Sequence, residues 1–201
     1  MNTHSITAKK DRPRIKDKRS AILAAALKVF AEGGVNGVPM PVLANQAGVG
    51  TGTIYRYFES KEVLVNELFR EEKLALNQRL YAGLDTSQSP RELFNQVWGR
   101  MVCFVRECPD AYRFMELQDH RPYLDEDSRT LERKLLSPIL AQYRHLQRKA
   151  VFRRDLRPEI LMTLVWGSFV SLIKAERNGF LELSQTDIEE ARDACWSLCT
   201  G

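Results

Sequence analysis

The stretch Ala44–Lys61, ANQAGVGTGTIYRYFESK, decides the fold of this 201-residue chain, because its spacing is that of two short helices joined by a tight turn. Ala44 stands where the first helix must let the second come close, and a larger side chain would force the pair apart. Gly48 follows four residues on, where the chain leaves that helix through a left-handed conformation that costs glycine almost nothing. Ile54 is the branched apolar residue that anchors the second helix to a core. Thr51, Thr53, Tyr55, Arg56 and Tyr57 are left for the exposed face and its edges. A polar and aromatic face of this kind on the second helix of a helix-turn-helix is what enters a DNA major groove.

The flanking residues extend the same pattern. An apolar helix carrying Ile22, Leu23, Ala26, Leu27, Val29 and Phe30 precedes the motif, Gly33-Gly34 breaks it, and Ser60-Lys61-Glu62 opens a long helix afterwards. The segment AGVGTGTIYRYFESKEVL resembles the signature of the TetR/AcrR family of bacterial one-component repressors. That resemblance covers about residues 17 to 65; beyond them it rests on size and helical character alone. It implies that Gly50 and Thr51 probe base edges and that Thr53 faces the backbone or a base. It also implies that Tyr55, Tyr57 and Lys61 hydrogen-bond phosphates, contacts that fix register while base contacts select sequence. Arg56 is open between a bidentate guanine contact and a phosphate contact. Ile54 and Phe58 are assigned to packing. Pro39-Met40-Pro41 departs from the family pattern, since Pro41 suits a first helical turn but the hydroxyl that would cap the helix and touch phosphate is missing. Whether helix 2 or the N-terminal arm contacts DNA is left open.

Charge points the same way. Residues 1–62 hold ten Lys/Arg and five Asp/Glu, a balance of +5, against +4 for the whole chain. Seven of those bases are Lys9, Lys10, Arg12, Arg14, Lys16, Lys18 and Arg19, an arm suited to phosphate and equally to a solubilising leader. The N-terminus is basic and polar with no apolar signal segment after it, and no apolar run approaches the ~20 residues that span a bilayer. A soluble cytoplasmic protein with no membrane partner is expected. Cys103, Cys108, Cys195 and Cys199 form no CxxC pair, and no histidine completes a zinc spacing, so neither a metal nor a cofactor is expected. No paired nucleophile and base and no phosphate loop suggest an enzyme.

Helical punctuation without alternating strands predicts an all-α fold: an N-terminal three-helix helix-turn-helix domain and a C-terminal helical domain for effector binding and dimerisation. The division expected is a disordered basic arm over 1–13, the DNA-binding domain over 14–62 and the effector and dimer domain over 63–201. Helices are expected from Ile15 to Glu32, Pro41 to Ala47, Thr51 to Phe58, and from Ser60 past Leu80 to Gly83. Further helices are expected over Arg91–Glu107 and Pro109–Gln118, from Ser128 with an interruption or kink at Pro138, from Arg157-Pro158 to Asn178, and over Thr186–Leu198.

Two C-terminal features carry the rest of the expectation. The run Thr163–Ile173 is apolar nearly all round, with Gly167, Ser168, Ser171 and Ala175 small enough for close approach of a second helix. The resemblance implies that such a helix forms a four-helix dimer interface; an ordinary buried core helix is the alternative. A homodimer also doubles the base pairs read, at half-sites set by its symmetry, so the expected partner is palindromic operator DNA. Trp98, Met101, Tyr112, Phe114, Met115, Tyr143, Trp166 and Phe169 are candidates to line an effector pocket or simply to fill a core. Gln118, His120 and Arg121 are candidates for its few polar groups, with a solvent-facing loop as the alternative for His120. The small-molecule effector expected is apolar or aromatic.

Overall fold

A computed structural model describes residues 15–116 and 122–201, with side chains from Lys18 onward. Gln118, His120, Arg121 and the arm up to Arg14 lie outside the described residues. Among the described residues there are nine helices and no strand: α1 (Ile15–Gly37), α2 (Met40–Gln46), α3 (Thr51–Tyr55), α4 (Lys61–Tyr81), α5 (Pro90–Glu107), α6 (Pro109–Glu116), α7 (Glu126–Arg148), α8 (Pro158–Arg177) and α9 (Gln185–Thr200). The all-α expectation holds.

Local chemistry explains where the helices start. Ser60 Oγ accepts the Val63 N–H at 3.2 Å and begins α4. Ser89 with Glu92, and Ser184 with Asp187, form reciprocal capping boxes at α5 and α9. Pro90 and Pro158 occupy first turns, where their missing N–H has no helical partner to lose. At α2 the residue before the helix is Pro39, with no side-chain cap, as the absent hydroxyl predicts.

Several boundaries differ from the expectation by one or two residues, and three differences have a structural reason. Gly34 does break the first helix, at φ 68 and ψ 160, but a further short turn follows to Gly37. The second helix of the motif ends at Tyr55 rather than Phe58, because both the Tyr57 and the Phe58 N–H bond to the Ile54 carbonyl at 2.9 Å and the tightened turn carries Phe58 into the core. α7 starts at Glu126, capped by Asp125, and runs without interruption through Pro138. Pro138 and Lys134 are both exposed, so water can take the Lys134 carbonyl that the proline leaves without a donor.

α1 packs against α2, α4 and α6, while α4 also meets α5, α6 and α7; α8 lies between α7 and α9. The head and the C-terminal helices therefore share one core. Phe30 of α1 stacks on Phe114 of α6 with centroids 6.4 Å apart, and both are fully buried. Arg19 on α1 binds Glu67 and Glu71 of α4, the latter at 2.8 Å, which fastens the head to the connecting helix. α8 corrects one expectation, since by length and composition it is long and apolar enough to cross a membrane. It buries Leu161, Val165, Phe169 and Ile173 at helical spacing within this bundle.

Candidate nucleic-acid interface

The motif's turn is built by backbone bonds. Gly48 sits at φ 65, its N–H bonds to the Asn45 carbonyl at 3.1 Å, and the Val49 N–H reaches back to Ala44 at 3.0 Å. These are the paired bonds of a Schellman ending, which satisfy the last carbonyls of α2 and reverse the chain. Ala44 is 3% exposed and Ile54 is fully buried, as close approach and anchoring require. A side chain at Gly48 would meet open space, so its conformation alone demands glycine.

α3 and the turn after it present Gly50, Tyr55 and Arg56 as exposed and Thr51, Thr53 and Tyr57 as half-buried. Gly50 precedes the first helical residue, and its carbonyl accepts the Thr53 N–H at 2.8 Å. Arg56 and Tyr57 lie just past the helix end, in the closing turn. Arg56 makes no ion pair among the described residues, so its guanidinium is available. Val42 on α2 is 51% exposed, an apolar side chain that the motif reading does not single out.

Lys61 is more engaged within the chain than a free phosphate ligand would be. Its Nζ donates to the Val38 carbonyl at 2.6 Å and lies 5.7 Å from the centroid of the Phe30 ring. Burial lowers its pKa, against the opposing pull of Glu62. An ammonium has three donors, so the Val38 bond leaves capacity for a phosphate while fixing where the charge sits.

Sequence reasoning misses the polar clamp behind the head. Asn66 on α4 is 3% exposed, and its side chain makes four hydrogen bonds. Nδ2 donates to the Glu62 carbonyl at 2.9 Å and the Tyr123 carbonyl at 2.7 Å, while Oδ1 accepts from the Asp125 N–H at 2.9 Å and Ser128 Oγ at 2.8 Å. Arg70, one turn on, binds both Asp125 oxygens and Ser128 Oγ. The start of α4 is thus tied to the start of α7. The available signal was an Asn inside the apolar stripe Leu64, Val65, Leu68 and Phe69.

Among the candidate pocket residues, Trp98, Tyr143, Trp166 and Phe169 belong to an aromatic ladder. Phe169 meets Trp98 edge-on at 5.4 Å and Trp166 at 6.1 Å, and the ladder continues through Phe94, Trp196 and Phe152 to Tyr143. Trp98, Met101, Tyr112, Met115 and Phe169 are all buried. Tyr112 donates to the Val170 carbonyl at 3.2 Å, and burial, with nearby Glu116, pushes its phenol up to about 12. Glu116 interrupts this apolar region: Oε2 accepts from Trp166 Nε1 at 2.9 Å, whereas buried Oε1 has no hydrogen bond and only Lys73 at 3.5 Å. On α8, Gly167, Ser168 and Ser171 are exposed and Ala175 is half-buried.

Comparison with known proteins agrees with this arrangement. The family described as bacterial regulatory proteins, tetR family, matches residues 22–68, and the tetracyclin repressor-like C-terminal domain matches residues 69–200. The transcriptional repressor KstR of Rhodococcus jostii is 46% identical over 57 residues, 28% of this chain and 27% of that protein. The HTH-type regulator YhgD of Bacillus subtilis is 43% identical over 53 residues, 26% of this chain and 28% of its own length. These two matches therefore span little more than a quarter of either relative. A solved TetR-family protein from Vibrio parahaemolyticus is 28% identical, covers 90% of this chain and 98% of its own, and superposes with a TM-score of 0.75. With two matched segments that together run from residue 22 to 200 and the same all-helical architecture, the chain belongs to the TetR family of DNA-binding bacterial transcriptional regulators.

Proposed function

We propose that the chain is a ligand-responsive repressor that binds a palindromic operator as a homodimer and is released by a small apolar or aromatic effector. The observation that carries this reading is the exposed face of α3 and its closing turn, with Gly50, Tyr55 and Arg56 exposed, Thr51 half-buried, and Ile54 and Phe58 buried beneath. Residues 14–62 then bind DNA, with Gly50 and Thr51 at base edges and Tyr55, Tyr57 and Lys61 on phosphates. Residues 63–201 bind the effector and the second subunit, the latter through Gly167, Ser168, Ser171 and Ala175. Relatives that match over the head include proteins named as repressors.

Release is a population shift. α4 carries the head and is fastened to α7 by Asn66 and Arg70, so an effector that favours a different setting of α4 changes the separation of two recognition helices on adjacent grooves. The effector site favoured here is the Trp98, Trp166 and Phe169 region, where Glu116 Oε1 offers one unfilled acceptor. A ligand-free dimeric regulator is the second reading, and the close ring contacts of the aromatic ladder favour it. A thermal-shift screen with an apolar and aromatic library, read beside operator release, separates the two. Sugars, nucleotides and divalent metals serve as controls, and release by those controls alone contradicts the effector class.

Tyr57→Ala is expected to weaken operator binding by about 1–2 kcal/mol across operator sequences, with helix content unchanged, as for loss of a charge-assisted bond to phosphate. Gel-shift titration checks it, and unchanged affinity removes Tyr57 from the interface. Thr51→Ala should instead change sequence preference in a binding-site selection; an unaltered consensus removes the base contact.

A further inference from the structure

We infer that the chain carries a second site, remote from the head, that takes a small anion bearing two or more phosphate or carboxylate groups. Residues 144–157 hold six Lys/Arg against one Asp, a net +5 that exceeds the +4 of the entire chain. Arg144, Arg148 and Arg154 line one cleft of about 540 Å³ together with Gln147 and Pro158. The cleft is shallow and opens widely to solvent.

The platform is fixed before any anion arrives. Gln147 Nε2 donates to the Arg153 and Leu156 carbonyls at 2.7 and 2.8 Å, which folds the loop after α7 back onto its last turn. Arg154 donates through Nε to the Gln147 carbonyl at 2.7 Å and through Nη2 to the Arg148 carbonyl at 2.9 Å. Its remaining donor edge is free, since a guanidinium carries five N–H groups. Arg144 bonds Glu159 at 2.7 Å by one nitrogen, and Arg153 pairs with Asp155. Arg148, Lys149 and Arg157 make no ion pair among the described residues, and all three are exposed.

Capping of the α7 carbonyls explains Arg154 alone. Arg148, Lys149 and Arg157 have no carboxylate partner among the described residues and repel one another, a cost that a bound anion offsets, and the guanidinium fork matches phosphate and carboxylate oxygens two at a time. Three of the six cations, Arg144, Arg148 and Arg154, line one cleft, and Arg133 farther up α7 is already paired with Glu126. This favours a compact anion over a duplex. α7 spans about 34 Å from its start beside Asn66 to this cleft, so the site does not share the operator contacted by the head. The inference does not depend on the repressor reading.

Isothermal titration of the full chain at 0.15 M salt, with sodium tripolyphosphate and with citrate, tests it. One anion per chain is expected, bound at least tenfold more weakly by the Arg148→Gln/Arg157→Gln double variant and equally by Lys9→Gln/Lys10→Gln. The neutralised arginines make no ion pair among the described residues, so the variant's melting curve should match that of the wild type without anion. Hydrogen-exchange protection of residues 147–157 by the anion gives a readout that needs no mutation. Tighter tripolyphosphate assigns a phosphate-bearing ligand and tighter citrate a carboxylate-bearing one. Equal binding by wild type and double variant, several unsaturable anions per chain, or binding of random-sequence duplex DNA with neither small anion bound would each overturn the site.

Discussion

Gly167→Arg should leave a folded monomer that no longer dimerises and that binds operator roughly 100-fold more weakly, since one recognition helix alone contacts too few base pairs. The geometry isolates this effect from misfolding. Apart from the backbone of its own helix and its two chain neighbours, no atom of the described residues lies within 4 Å of a Cβ placed at Gly167, so the arginine is tolerated within one subunit. Leu164 is 40% exposed on the same face, an apolar side chain that the described chain covers only in part. Two of the hydroxyls nearby already have partners, Thr163 Oγ1 on the Glu159 carbonyl at 2.8 Å and Ser168 Oγ on the Leu164 carbonyl at 2.7 Å, which lowers the cost of drying this face under a second helix. Sedimentation velocity reads the result. A folded variant that remains dimeric places the interface elsewhere.

Asn66→Ala should destabilise the fold by about 3 kcal/mol, because Tyr123, Asp125 and Ser128 all lose a buried partner at once. Ser128 is fully buried and retains only the Arg70 bond to its hydroxyl, so water has poor access to make good the loss. Urea unfolding should show a lower midpoint with the slope unchanged. A loss below about 1 kcal/mol would mean that the clamp is solvated or relaxes, against the buried network described here. Because the clamp joins α4 to α7, the same variant should also loosen the head relative to the C-terminal helices.

The helix-turn-helix was legible in the sequence because its constraints are local. Gly48 is required by one dihedral angle, Ala44 by one close approach and Ile54 by one buried position, and all three lie within eleven residues. The start of α4 was legible for the same reason, since Ser60 reaches only three residues along the chain, as the caps Ser89 and Ser184 do. The Asn66 clamp was not, because its partners stand 57 to 62 residues away and nothing local distinguishes a satisfied buried amide from an exposed one. Pro138 misled for a related reason. A proline ends a helix only where its missing bond cannot be replaced by water, and that depends on which face of α7 is solvated. The aromatic residues of the C-terminal domain were recognised as a group, but whether they line a space or fill it is decided by ring contacts between helices.

Selection of bound sequences from a random duplex library by the full-length protein tests the regulator reading most directly. The expected outcome is a consensus of two inverted half-sites whose centres lie on one face of the duplex, lost when Gly167→Arg is used in place of the wild type. A single unrepeated site, a consensus indifferent to the Gly167→Arg change, or no enrichment at all would contradict a homodimer that reads DNA with two copies of α3.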